Sequence, residues 1–276
     1  MKLTRKHIHE QVYFYLLILL AISIPFSVYA TSMFMFQLLT NWVLEWRFRE
    51  KWSMAKGNRA LQVFLLLFVL HFVGLLWSSD LAYGFWDVKI KLPLLGLPVM
   101  VATSAPLTKQ QVQRILFFFS LAVFVASMAS LFTLLGWLPG EVYDFRDLSL
   151  FMSHIRFSLM IVLVLLISAY GLCVRQNSIS WPERIFYMVC LLWLPVILVL
   201  LKSLTALFIA GILMFLILLR LVFQIRDQVL RYMALVPVIM IPLFSILYLG
   251  HAINKFYSFD PLNIEELDSY TVEGNA

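Results

Sequence analysis

Long, predominantly apolar runs separated by short polar or charged segments make up most of this chain. They can be placed at 12–30, 33–46, 60–77, 90–105, 115–136, 157–174, 185–201, 203–222 and 232–250. Most approach the roughly 20 residues that an α-helix needs to cross a bilayer. Because an open strand edge cannot face lipid, each run predicts a helix. The pattern therefore predicts an all-α, polytopic transmembrane helical bundle of about nine spans.

Two of these runs have irregular features, and both chain ends leave alternatives open. The second run is short and contains Gln37, and the fourth should be kinked by Pro98, so a re-entrant segment is an alternative at either. The start, with Lys2 before an apolar run, also has the pattern of a signal peptide, but the many later runs favour an uncleaved first span. We expect residues 1–250 to form the transmembrane domain. The polar, acidic residues 251–276 are expected to form either a disordered outer tail or the start of a truncated outer loop.

Composition supports the membrane interpretation, and the distribution of charge predicts which segments face the cytoplasm. The sequence is 62% hydrophobic and 13% charged, with a mean hydropathy of +0.91, so lipid is the expected solvent for most of it. The pI near 9.3 is explained by topology, and we do not expect a nucleic-acid partner. Of the 21 Lys and Arg residues, all but six fall in segments that become cytoplasmic if the N-terminus lies inside. An odd number of spans then places the C-terminus outside.

Familiar catalytic and cofactor motifs are missing from the sequence. It has no phosphate-binding glycine loop, no HExxH, no GxSxG and no pair of carboxylates within a span. Cys173 and Cys190 have neither CxxC spacing nor another pattern of a disulfide or metal site, and we expect both to be packing residues. Neither a cofactor nor a metal is predicted.

The candidate chemistry lies in the cations of the predicted outer segments. Arg156 and His154 lie where an outer loop enters the sixth span, and the planar guanidinium of an arginine suits phosphate. An interfacial arginine that reaches lipid headgroups is the simpler alternative. The six outer cations, in order of expected importance for anion binding, are Arg156, Lys202, Lys91, Lys89, Arg146 and Lys255.

Further expectations apply to single members of this set and to one histidine within a span. Lys202 should occupy the outer mouth of a tight helical hairpin, close to the surface that Arg156 reaches. Arg146 lies in an acidic loop, where pairing with Asp144 or Asp147 is expected, and Lys255 should be solvated. His71 lies inside the third run, where we expect a neutral imidazole hydrogen-bonded between helices.

Three stretches resemble the O-antigen ligase and O-antigen polymerase family of bacterial inner-membrane proteins. They are the outer loop from Gly74 to Ser78 with the Lys-Leu-rich span after Lys89, the loop-to-helix entry His154-Ile155-Arg156-Phe157-Ser158, and the hairpin Lys202-Ser203-Leu204-Thr205. In the family a basic residue directly follows the hairpin serine, whereas here Leu204 does. The family also carries a large outer loop with a histidine implicated in catalysis and further spans. This chain ends where that loop would begin, so the resemblance implies an N-terminal portion.

The resemblance implies glycan transfer from a polyprenyl-diphosphate-linked donor at the outer face of the bacterial inner membrane. The acceptor would be lipid A core or another glycan, within surface polysaccharide and lipopolysaccharide assembly. Arg156, Lys202, Lys91, Lys89 and Arg146 would bind the donor diphosphate, and His154 would be the local catalytic candidate. Two alternatives stay open. One is a multi-span transporter or flippase-like carrier of an anionic substrate, for which Gln37, Asn41 and His71 are the polar candidates; the other is a scaffold whose outer cations bind membrane lipids.

Overall fold

A computed structural model describes residues 5–137, 148–173, 180–225 and 227–240. Within those ranges every regular element is a helix, and the prediction of an all-α protein is confirmed. A short 3-10 helix, Leu75–Trp77, follows the fourth α-helix. The α-helices are α1 (Arg5–Ser23), α2 (Val28–Leu44), α3 (Phe48–Gly57), α4 (Arg59–Gly74), α5 (Leu81–Ile90), α6 (Leu92–Thr103), α7 (Lys109–Leu134), α8 (His154–Cys173), α9 (Trp181–Leu200), α10 (Leu204–Phe223) and α11 (Gln228–Met240).

Among the described helices, five are long and apolar enough to cross a membrane. They are Arg59–Trp77, Lys109–Leu134, His154–Cys173, Trp181–Leu200 and Leu204–Phe223. The other predicted spans fall on α1, α2, α6 and α11, of which α2 has 17 residues and α6 has 12. The chain is therefore a helical membrane protein, while the count of nine spans and the direction of the termini stay predictions.

Two helix boundaries differ from those expected from the apolar runs. The first two runs were placed at 12–30 and 33–46, but α1 ends at Ser23 and α2 begins at Val28. The break follows from local chemistry. Pro25 cannot continue a helix, and the Oγ atom of Ser27 caps α2 by accepting a hydrogen bond from the Ala30 amide at 3.2 Å. These residues are uncharged, so hydropathy alone does not separate them from their neighbours.

The proline-rich fourth run, placed at 90–105, corresponds to the 12-residue helix α6. Lys91 separates α6 from the preceding helix α5, which ends at Ile90. Pro93 occupies the first turn of α6, where its missing amide donor costs little, and Pro98 lies inside the helix.

Contacts divide the chain into two compact units, Met1–Leu207 and Phe208–Ala276. In the first unit α1 packs against α2 and α7, while α8 packs against α7 and α9. One core cluster contains Leu17 of α1, Leu38 of α2 and Met100 of α6. The buried face of α7 consists largely of small residues such as Ala126 and Ser127, which allow neighbouring helices to approach closely. The described part of the second unit contains the remainder of α10 and α11.

The α1–α2 pair is joined at both ends. Residues 24–27 form the turn at one end. At the other, the Nδ1 atom of His9 donates to Oδ1 of Asn41 at 2.8 Å, and Nδ2 of Asn41 donates to the His9 carbonyl at 3.2 Å. The guanidinium of Arg5 also donates to the Leu44 carbonyl at 2.9 Å. The polar residues in this apolar region therefore fix the alignment of one helix along the other.

Candidate functional site

The strongest candidate site lies at one end of the hairpin formed by α8 and α9. Two contacts establish the alignment of these antiparallel helices. The Ser168 side chain lies against the Cys190 thiol, and a Cβ atom added at Gly171 would lie 3.0 Å from ring atoms of Tyr187. From the first contact to the second, the residue number rises by three in α8 and falls by three in α9, as expected for antiparallel helices. Extended by equal steps towards the end of α9 at Leu200, this alignment predicts that Arg156 lies near the level of the α9–α10 turn.

Arg156 lies in the first turn of α8 and is exposed to solvent. The helix begins at His154, which is half-buried, and the amide of Phe157 donates to the Ser153 carbonyl at 3.1 Å. A helix N-terminus carries a partial positive charge, so the guanidinium adds to a field that already favours anions. The predicted position of Arg156, where a loop enters a membrane helix, is confirmed.

Lys202 lies in the tight turn between α9 and α10, as the sequence predicted. Its backbone φ is 48°, in the left-handed region, and its amide donates to the Val199 carbonyl at 3.1 Å. The neighbouring Leu201 and Ser203 are buried, whereas the Lys202 side chain is exposed. The buried neighbours hold the turn and leave the ammonium group at the surface.

Two buried hydroxyl groups accompany these cations. Ser158 follows Arg156 by two residues, and Ser203 follows Lys202 directly. The Oγ atom of each is buried and has no hydrogen-bond partner among the described residues. Buried hydroxyls in native proteins are usually paired, so an unpaired hydroxyl is unusual at each of these two positions.

Lys91 and Lys89 occupy a different part of the first unit. Lys91 ends α5, and its Nζ atom lies 2.5 Å from Oδ2 of Asp87 in a half-exposed ion pair. Lys89 is exposed on α5. The α5 helix packs against the Leu75–Trp77 turn and α6, whereas α8 packs against α7 and α9. Asp87 and Lys91 are four residues apart in the sequence, a separation that in a helix is itself a signal of pairing. Arg146 and Lys255 lie outside the described residues.

A cleft of about 430 Å³ lies between the end of α4 and α5. Gly84 allows the close approach of the two segments, since a Cβ atom there would lie 2.5 Å from the Leu75 side chain. The polar residues of the cleft lining are His71, Ser78, Tyr83 and Asp87. Of these, sequence reasoning singled out only His71 as a polar candidate, because the others precede or belong to a helix too short to be recognised from the apolar runs.

The expectation that His71 bonds between helices is wrong. Its Nδ1 atom lies 2.8 Å from the Leu67 carbonyl one turn earlier in α4. A carbonyl oxygen can only accept, so Nδ1 carries the proton and Nε2 of a neutral imidazole is left as a hydrogen-bond acceptor. His71 is exposed because α4 leaves most of its surface uncovered within the first unit. The cleft thus combines an imidazole, a carboxylate and hydroxyl groups.

Together these features define the class of the protein: a helical membrane protein with a cationic hairpin end and a separate polar cleft. Within the described ranges no group of three His, Cys, Asp or Glu residues could hold a metal ion. No protein-family model matches the chain, and no curated protein or solved structure matches it either.

Proposed function

We propose that the protein binds a polyprenyl-diphosphate-linked glycan at the outer face of the bacterial inner membrane. It would transfer the glycan to an acceptor such as lipid A core or another glycan. The observation that carries the proposal is that Arg156, in the first turn of α8, and Lys202, in the turn after α9, are both exposed at the same end of the packed α8–α9 hairpin. On the positive-inside count this end would lie outside, in a protein with nine spans, a cytoplasmic N-terminus and an outer C-terminus.

The transfer chemistry requires cations beside the diphosphate of the donor. In the transfer step an acceptor hydroxyl oxygen attacks the anomeric carbon, and the bond from that carbon to the diphosphate oxygen breaks. The electron pair leaves with the diphosphate, whose growing charge Arg156 and Lys202 would stabilise. The acceptor proton passes to a base. On this chain we assign that role to His154, which shares the first turn of α8 with Arg156.

The proposal is tested first by binding. Purified protein in phosphatidylcholine nanodiscs is titrated with a polyprenyl diphosphate and, separately, with the corresponding monophosphate. We expect tighter binding of the diphosphate, with a loss of roughly tenfold or more in Arg156→Ala, because a hydrogen bond to a charged group contributes about 1.5–3 kcal/mol. Arg156→Lys should retain part of the affinity.

Lys109→Ala is the matched control, since Lys109 is an exposed cation at the start of α7 and should leave the affinity unchanged. Equal affinity for the diphosphate and the monophosphate, or full affinity in Arg156→Ala, would overturn the assignment. Transfer itself is tested by complementing a strain that lacks surface polysaccharide, with membrane insertion of each variant confirmed by immunoblot.

A carrier of an anionic substrate is the alternative function. It calls for polar groups within the spans, and Gln37, Asn41 and His71 were the candidates. The structure places Asn41 in a bonded pair with His9 and bonds His71 to its own helix, while Gln37 is exposed on α2. Two of the three therefore have local structural roles, and the glycan-transfer proposal is the better supported.

A further inference from the structure

The short helix α3 has a location that the glycan-transfer proposal does not use. It ends at Gly57, and the membrane-crossing segment Arg59–Trp77 begins two residues later. Asn58 joins them and caps α4, since its Oδ1 atom accepts a hydrogen bond from the Leu61 amide at 3.1 Å. With so short a connection, α3 must lie at the boundary where that span leaves the lipid.

A buried lysine fixes which face of α3 is turned toward the protein. Lys51 is only 4% exposed, and its Nζ atom lies 2.9 Å from Oε2 of Glu45, whose side chain is 8% exposed. The same ammonium donates to the Trp42 carbonyl and lies 4.4 Å from the centroid of the Trp42 ring. This combination of ion pair, hydrogen bond and cation–π contact holds the helix against the end of α2.

The two acidic residues near α3 form ion pairs with Arg47 and Lys51. Arg47 bonds to Glu45 at 3.4 Å and also to Glu50. The hydrogen bond from Arg47 to Glu50 raises the pKa of the Arg47 guanidinium above its ordinary value. Glu45 and Glu50 are therefore engaged by Arg47 and Lys51, while the exposed cations Arg49 and Lys56 lie on another side of the helix.

These two cations flank an exposed tryptophan. Arg49, Trp52 and Lys56 follow one another at separations of three and four residues, so they form one stripe on the helix. Trp52 is 65% exposed, and the Lys56 Nζ atom lies 5.3 Å from the centroid of its ring. Phe48 is also exposed, as is Trp46 just before the helix.

We propose that the Arg49-Trp52-Lys56 stripe binds the headgroup of an anionic phospholipid in the leaflet that α3 borders. Indole rings partition to the headgroup region of a bilayer, so Trp52 would lie among the glycerol and ester groups. Arg49 and Lys56 then meet the lipid phosphate from either side. A lipid is a better occupant than a soluble anion, because the cations alternate with aromatic surface at a span boundary. The site is independent of the α8–α9 hairpin end.

The test uses lipid-dependent quenching of Trp52. The full-length protein is reconstituted in nanodiscs containing a small fraction of brominated phosphatidylglycerol or brominated phosphatidylcholine in a phosphatidylcholine background. The difference in fluorescence between wild type and Trp52→Phe isolates Trp52 from the other tryptophans. We expect phosphatidylglycerol to quench at a mole fraction lower by roughly tenfold, with the preference falling at high salt.

Two variants decide whether the cations cause the preference. Arg49→Gln with Lys56→Gln should remove it, so that both brominated lipids quench alike, while the thermal midpoint stays unchanged because both side chains are exposed. Lys109→Gln with Arg114→Gln is the matched control, with two exposed cations removed from α7, and should retain the preference.

Either of two results would overturn the proposal: equal quenching of wild type by the two lipids, or a preference that survives in the Arg49→Gln, Lys56→Gln variant. Added glycerol phosphate distinguishes the source of the phosphate. Competition at low millimolar concentration would indicate a site for soluble anions and would also overturn the lipid assignment.

Discussion

The ammonium group of Lys51 and the carboxylate of Glu45 form an ion pair of 2.9 Å in which both side chains are less than a tenth exposed. The pair joins the start of α3 to the end of α2. Burying both charges carries a large desolvation cost, and the geometry offsets it with the Trp42 carbonyl and ring. An unpaired charge at this position should therefore be poorly tolerated.

Lys51→Met is expected to lower the free energy of unfolding by about 1.5–3 kcal/mol, since it removes a charged hydrogen-bond partner of the buried Glu45, which keeps only its 3.4 Å contact with Arg47. Thermal unfolding in detergent micelles measures the effect. Lys6→Met is the control, because the 3.9 Å pair of Lys6 with Glu10 is largely exposed and should contribute less than about 1 kcal/mol. A Glu45→Leu, Lys51→Met double variant should recover much of the loss. Single and double variants of equal stability would contradict this account.

The contact between Gly171 and Tyr187 predicts a steric limit in the α8–α9 hairpin. Gly171→Val should destabilise the protein by about 1–3 kcal/mol, because its side chain must displace the Tyr187 ring. Gly211→Val provides the comparison, since a Cβ atom at that helical glycine meets nothing within 4 Å. Unfolding midpoints should separate the two variants, and Tyr187→Leu should restore part of the stability of Gly171→Val. Equal midpoints for the two valine variants would show that the helices do not pack as described.

The hydrogen bond from Trp193 Nε1 to Ser127 Oγ, 3.0 Å long, links α9 to α7. Ser127→Ala should lower stability by about 0.6 kcal/mol and by no more than about 2, the range measured for interhelical hydrogen bonds in membranes. Ser32→Ala is the control, since Ser32 is exposed and bonds only to Val28 in its own helix. Trp193→Phe combined with Ser127→Ala should cost little more than Trp193→Phe alone. Fully additive losses in the double variant would argue against the bond.

Because the backbone of Lys202 is left-handed, substitutions there can test its effect on stability separately from its proposed role in donor binding. Lys202→Gly should change stability by less than about 1 kcal/mol, because relief of strain is opposed by the greater freedom of the unfolded chain. Lys202→Val should destabilise by about 1–2 kcal/mol, since a β-branched residue is strained at this φ. Both variants should lose affinity for polyprenyl diphosphate, as measured by titration in nanodiscs. Unchanged affinity in the stable glycine variant would remove Lys202 from the donor site without affecting the backbone prediction.

Hydropathy predicted the helical membrane fold, the α9–α10 turn and the entry of Arg156 into α8, because each depends on where long apolar runs stop. It did not predict the α1–α2 boundary, which depends on Pro25 and the Ser27 cap within an apolar stretch. Lys51 was counted only as a marker of topology, and its burial follows from tertiary contacts with Glu45 and Trp42. How close Arg156 lies to Lys202 depends on the register of α8 and α9, which hydropathy does not encode.

The doubly joined α1–α2 pair limits how this protein can move. Sliding one helix along the other by a single turn, about 5.4 Å, would break both hydrogen bonds between His9 and Asn41 and stretch the four-residue link at the far end. The two helices must therefore shift as one rigid body. Since α1 also packs along α7, a shift within the first unit is accommodated more easily by α5, which packs only lightly against the Leu75–Trp77 turn and α6.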